Sequence, residues 1–153
     1  MATHHILIAE SRPNLRHSLS LTLKQADYRI SLAENTEEAM TLAAALHNTQ
    51  NPIDLLIVDL DSASPEACRA FRRILFTSAL DLPYLALAEE INDQTGDALK
   101  RHGCLACLIK PFEPDTLLRS VHDALTRIAV KNGQQPGRKP DKTYPESAAN
   151  QPG

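Results

Sequence analysis

Cysteine is scarce in this chain: only Cys68, Cys104 and Cys107 among 153 residues. An odd, sparse count argues against a disulfide framework and suits a reducing compartment. Charge of one sign is also lacking. The formal net charge is -3, and the pI is near 6.0, which gives no support for a nucleic-acid-binding or anionic-membrane surface. No apolar run approaches membrane-spanning length, and no basic-then-apolar signal segment opens the chain. The expectation is a soluble, cytoplasmic protein with no direct nucleic-acid or membrane partner. At this length it is one domain, large enough to bury a core without staples.

What is present is organised around Asp54-Leu55-Leu56-Ile57-Val58-Asp59. Four consecutive apolar residues between two carboxylates read as a strand buried on both faces, the central strand of a parallel sheet. Residues 5–9 read as a first buried strand and 28–33, with alternating Tyr28, Ile30 and Leu32, as one nearer the sheet edge. Strands at 84–87 and 105–109 complete the set. Helices are expected at 13–26, 36–47, 65–77, 93–102 and 114–130. Pro13 is tolerable in a first turn, and Asn35 or Thr36 can cap the second helix. Gly103 is a helix stop. Five strand–helix alternations imply right-handed crossovers and helices on both faces of a parallel sheet. The fold class is α/β, a flavodoxin-like doubly wound five-stranded sheet ordered 2-1-3-4-5, over residues 1–130. Residues 131–153 are polar, with too few apolar side chains to pack, and read as a disordered tail.

In that topology the ends of strands 1, 3 and 5 share a cleft. They carry Glu10, Asp59 and Lys110. Two carboxylates and an ammonium suit a hard cation and a phosphoryl group, with a carboxylate as nucleophile.

The ordered set Ile6-Leu7-Ile8-Ala9-Glu10, Pro13 with Arg16, Asp54 through Leu60, Leu82 through Leu87 and Gly103-Cys104 through Phe112 resembles the receiver domain of bacterial two-component response regulators. The resemblance implies that a histidine kinase or phosphotransfer protein phosphorylates Asp59. It implies that Lys110 contacts the phosphoryl group, that Lys110-Pro111 is cis, and that Mg²⁺ is held by Glu10, Asp59 and the backbone carbonyl of Asp61. It also implies output by binding a downstream protein, through the face made by the last strand and its two flanking helices. Three positions and one loop depart from the family pattern. Ser11 replaces the second acid, which weakens Mg²⁺ binding. Ala88 replaces a hydroxyl donor, Cys107 an aromatic, and Ser62-Ala63-Ser64-Pro65 the usual loop. The expected function is a stand-alone, non-enzymatic receiver in a phosphorelay, a monomer or weak homodimer. The alternative is a phosphorylation-independent pseudo-receiver acting as an adaptor.

Other features invite blander readings. Cys104 and Cys107 suggest redox or zinc chemistry, but residues three apart on an extended strand point to opposite faces. The six histidines lie on separate elements. Arg69, Arg72 and Arg73 form a small basic patch on a helix face.

Overall fold

The computed structural model describes residues 3–60, 82–101 and 103–131. The expected helix at 65–77, with its arginine patch, and the tail from 132 onward lie outside the described residues. In chain order the described elements are β1 His5–Ala9, α1 Pro13–Gln25, β2 Arg29–Ala33, α2 Thr36–Leu46, β3 Leu55–Asp59, β4 Tyr84–Ala88, α3 Asp93–Arg101, β5 Cys104–Ile109 and α4 Pro114–Lys131. The five strands form one parallel sheet in the order β2-β1-β3-β4-β5, as expected from the sequence.

The continuous apolar runs are explained by burial on both faces. Side chains alternate along a strand. Leu7, Leu56, Val58, Tyr84 and Ala86 therefore face α2 and α3, where Ala39, Met40, Ala43 and Leu99 cover them. Ile6, Ile8, Leu55, Ile57, Leu85 and Leu87 face α1 and α4, against Leu19, Leu23, Leu117, Val121 and Leu125. At roughly 1.5–3 kcal/mol for each fully buried aliphatic side chain, these layers dominate the stability of the fold. They hold the carboxyl edge of the sheet as a rigid rim.

Local signals set the helix starts. Pro13 occupies the first turn of α1, whose N-cap, Arg12, makes no side-chain capping bond. Its side chain is used elsewhere. Asn35 caps α2, its Oδ1 accepting from the Glu38 amide at 2.7 Å. Glu38 Oε1 accepts from the Glu34 amide at 3.1 Å, a return bond of the capping-box kind. Asp27 takes the left-handed conformation after α1, with φ 68°, which a short polar side chain tolerates. β2 is one of the two edge strands, and its Leu32 is 41% exposed. The apolar alternation expected there is only partly buried: Tyr28 and Ile30 pack partly against the core on the α1 face, and Leu32 stays largely exposed.

Candidate functional site

Asp59 ends β3, Glu10 follows β1, and Lys110 follows β5. The strand order places β1 directly beside β3, so both carboxylates meet at one rim. They are buried, Glu10 to 1% and Asp59 to 2% residual exposure. The Lys110 Nζ donates to Asp59 Oδ2 at 2.5 Å. The Lys110-Pro111 peptide bond is cis. The sequence placed these three residues together, and the structure does so.

Arg12 was not singled out from the sequence. Its Nε donates to Glu10 Oε1 at 3.0 Å, and its Nη2 donates to Asp59 Oδ2 at 2.9 Å. The Arg12 amide donates to the same Glu10 oxygen at 2.9 Å. One guanidinium thus bridges both acids. Arg16 steadies the loop from outside, donating from Nη1 to the Glu10 carbonyl at 2.8 Å. The signal was present: a planar, five-donor cation two residues after the first acid, at the entrance to a helix. Only the loop's path shows where it points.

The pocket carries two negative and two positive charges, all four within hydrogen-bonding range of a partner. Burying two acids side by side would be costly without such compensation. Burial pushes the Glu10 carboxyl above its ordinary range, and the adjacent Asp59 carboxylate adds to this. The Arg12 amide and guanidinium pull the other way. The Arg12 guanidinium is held more firmly protonated than usual, chiefly by its hydrogen bond to Glu10.

Other candidates fall elsewhere. Asp54, at the opposite end of β3, accepts the His5 amide at 2.8 Å, a structural bond. The His5 ring lies between the Asn51 carbonyl and the Ser31 hydroxyl. No group of three or more His, Cys, Asp or Glu among the described residues could hold a metal ion. Ser11 is exposed on the β1–α1 loop, Ala88 is buried at the end of β4, and Asp61 lies outside the described residues.

The cysteine reading needs correction. Cys104 and Cys107 do not point to opposite faces. Tyr84 pairs with Cys104 but Leu85 pairs with Ala106, so Leu105 is an extra residue in β5. Such a bulge shifts the alternation by one. The two sulfurs lie on the same side of the sheet, 3.9 Å apart.

Fold and pocket define the class: a flavodoxin-like doubly wound domain with a buried acid pair and a lysine at the carboxyl edge of its sheet. The model of the response regulator receiver domain matches residues 6–122. A probable transcriptional regulator, ycf27, of Cyanidium caldarium is 30% identical over 132 residues, 86% of this chain and 50% of the relative. The transcriptional regulatory protein GlrR of Escherichia coli is 25% identical over 82% of this chain and 27% of its own length. The chain thus spans half or less of these curated relatives. Among solved structures, the chemotaxis protein CheY4 of Vibrio cholerae superposes with a TM-score of 0.63 at 26% identity, over 80% of this chain and 99% of that one. The HemR receiver domain of Leptospira biflexa gives 0.67 at 24% identity, over 81% and 95%.

The chain belongs to the receiver-domain family of two-component response regulators. Receivers of this family characteristically bind Mg²⁺ at the acidic pocket, so the donors here are weighed against that ion. Mg²⁺ demands near-octahedral oxygen coordination. Among the described residues, one buried side-chain oxygen has no hydrogen-bond partner: Glu10 Oε2. Asp59 Oδ2 already accepts from two cations. A hydroxyl stands at Ser11 in place of an acid, and the Arg12 guanidinium lies between the remaining carboxylates. A dication placed beside that guanidinium would be repelled by its charge, and the partly buried setting screens the repulsion less than open water would. The described residues as arranged do not fit the ion.

Proposed function

We propose that this chain is a phosphorylation-independent receiver module, an adaptor that keeps the receiver fold and signals by binding another protein. The observation that carries this reading is the Arg12 bridge between Glu10 and Asp59. The charge a receiver draws from a bound cation is supplied here by a side chain of the chain itself. Two further residues support the reading. Ala88 offers no hydroxyl to a phosphoryl group, and Cys107 offers no aromatic ring to move. Without contacts that differ between two states, a modification cannot shift the equilibrium between them.

The partner surface under this reading is the face of α3, β5 and α4. It is a cytoplasmic module, a monomer or weak homodimer, with residues 1–130 as the receiver unit and no catalytic activity of its own. The test is intact mass after incubation of the full chain with acetyl phosphate and Mg²⁺. Unchanged mass supports the adaptor reading. A phosphoryl adduct that disappears in Asp59→Ala contradicts it.

A second reading is favoured by the 2.5 Å contact from Lys110 to Asp59. In it Asp59 accepts a phosphoryl group from a histidine kinase or phosphotransfer protein, with Lys110 neutralising the charge that develops on the transferred oxygens. Arg12 would then have to swing out of the pocket. Half of its side chain is exposed, so a route outward exists.

A further inference from the structure

The bulge in β5 brings two thiols together in a domain whose pocket chemistry makes no use of them. Cys104 and Cys107 stand opposite Tyr84 and Ala86. Those residues are two apart on β4 and share one face of the sheet, and this is why the cysteines face the same way. Cys104 is buried, while Cys107 is partly exposed. Both border a cavity of about 770 Å³ whose wall also includes Lys100 and Asp97 of α3 and Arg127 of α4. A small oxidant therefore reaches Cys107 from the cavity, with the Cys104 sulfur 3.9 Å from that of Cys107.

We propose that Cys104 and Cys107 form a two-electron redox switch that closes to a disulfide on reaction with a hydroperoxide. The Cys107 thiolate attacks one peroxide oxygen. The O–O bond breaks, and the departing hydroxide or alkoxide takes up the proton that Cys107 gave to solvent. Cys107 is left as a sulfenic acid. The Cys104 sulfur then attacks the Cys107 sulfur, an S–S bond forms and the S–O bond breaks. The hydroxyl leaves with the Cys104 proton as water. Two thiols and one peroxide give one disulfide, one alcohol or water, and one further water. Two electrons pass from sulfur to oxygen, and a cellular dithiol reductant reverses the change.

The surroundings favour this division of roles. The hydrogen bond from Cys104 and the positive charge of Lys100 lower the Cys107 thiol to about 7 against the opposing effect of burial, while the same hydrogen bond and burial raise Cys104. One sulfur is thereby the attacking thiolate at neutral pH and the other the protonated resolving thiol. A disulfide needs sulfurs about 2.0 Å apart, so closure draws them together by roughly 1.9 Å from the observed 3.9 Å. The extra residue Leu105 supplies slack for that movement. The strand that shifts forms one wall of the cavity beside α3 and α4, so closure alters the face assigned above to the partner.

The test treats the wild-type full chain with hydrogen peroxide under native conditions and maps its tryptic peptides. The peptide from His102 to Arg119 contains both cysteines and neither neighbours Cys68. The expected product is that peptide lighter by two hydrogen atoms, restored by dithiothreitol. In Cys104→Ser, a sulfenic acid on Cys107 is trapped by dimedone. In Cys107→Ser, thiol loss at Cys104 is at least about tenfold slower than in the wild type. The wild-type map decides the matter even if a variant fails to fold. A peptide that stays reduced, a Cys107 carried to sulfinic acid with no cross-link, or a bridge from either residue to Cys68 overturns the proposal.

Discussion

Arg12 and Lys110 converge on a single carboxylate oxygen: Nη2 of one and Nζ of the other both donate to Asp59 Oδ2, at 2.9 and 2.5 Å. They reach it from opposite sides of the fold, one from the loop after β1 and the other from the end of β5. With Glu10 bound to the same guanidinium, the pocket is electrically closed by the chain's own residues.

Removing Arg12 should therefore cost stability. Breaking a buried ion pair from one side costs about 3–5 kcal/mol. The half-exposed Arg12 side chain lets water replace part of its contribution, so Arg12→Ala is expected to lose about 1–3 kcal/mol in urea unfolding. Glu10→Gln in the same background should recover part of that loss, because one of the stranded charges is gone. A double-mutant cycle measures the coupling. Independent, additive losses would show that Arg12 does not hold these acids together.

Cys107 offers a pH test that leaves the acidic pocket untouched. A thiol reacts with iodoacetamide as the thiolate, so its rate follows ionisation. With the Cys107 thiol lowered to about 7, alkylation should rise through neutrality and level off above it. An ordinary thiol would keep gaining rate toward pH 9. Lys100→Met removes the positive charge on α3 and should move the inflection upward. A profile that stays flat until above pH 8 would contradict the environment described for this side chain.

Gly103 joins α3 to β5 with φ +96°. Its carbonyl accepts the Tyr84 amide at 3.2 Å, anchoring the start of the last strand pairing. Among the described residues beyond its chain neighbours, an added Cβ would approach nothing closer than 4.0 Å, so the penalty for Gly103→Ala is chiefly conformational, about 1–2 kcal/mol. The denaturant midpoint should fall with no change in slope. An unchanged midpoint would mean that the turn relaxes to accept a side chain.

The sheet was legible because its signals are redundant. The run from Leu55 to Val58 is apolar at every position, which only a strand covered on both faces needs, and its terminal Asp59 follows from the strand's direction. Glu10 and Lys110 were placed the same way, at the ends of runs whose order dictates who neighbours whom. Arg12 escaped notice because a loop side chain has no periodicity to declare its aim. The cysteines were misjudged for a related reason. Alternation by two holds until one residue is inserted, and nothing in Cys104-Leu105-Ala106-Cys107 announces the bulge. It appears only where Leu85 pairs with Ala106 rather than Leu105. The backbone contribution of Asp61 to a cation site falls outside the described residues.

The central claim, that Arg12 stands in the pocket in place of a divalent cation, is tested most directly by calorimetric titration of Mg²⁺. The wild-type chain and a Ser11→Asp, Arg12→Asn double variant would be titrated side by side. The wild type should show no saturable heat at millimolar Mg²⁺, while the double variant should bind. Saturable binding to the wild type at or below millimolar concentration, unaffected by the two substitutions, would contradict the account.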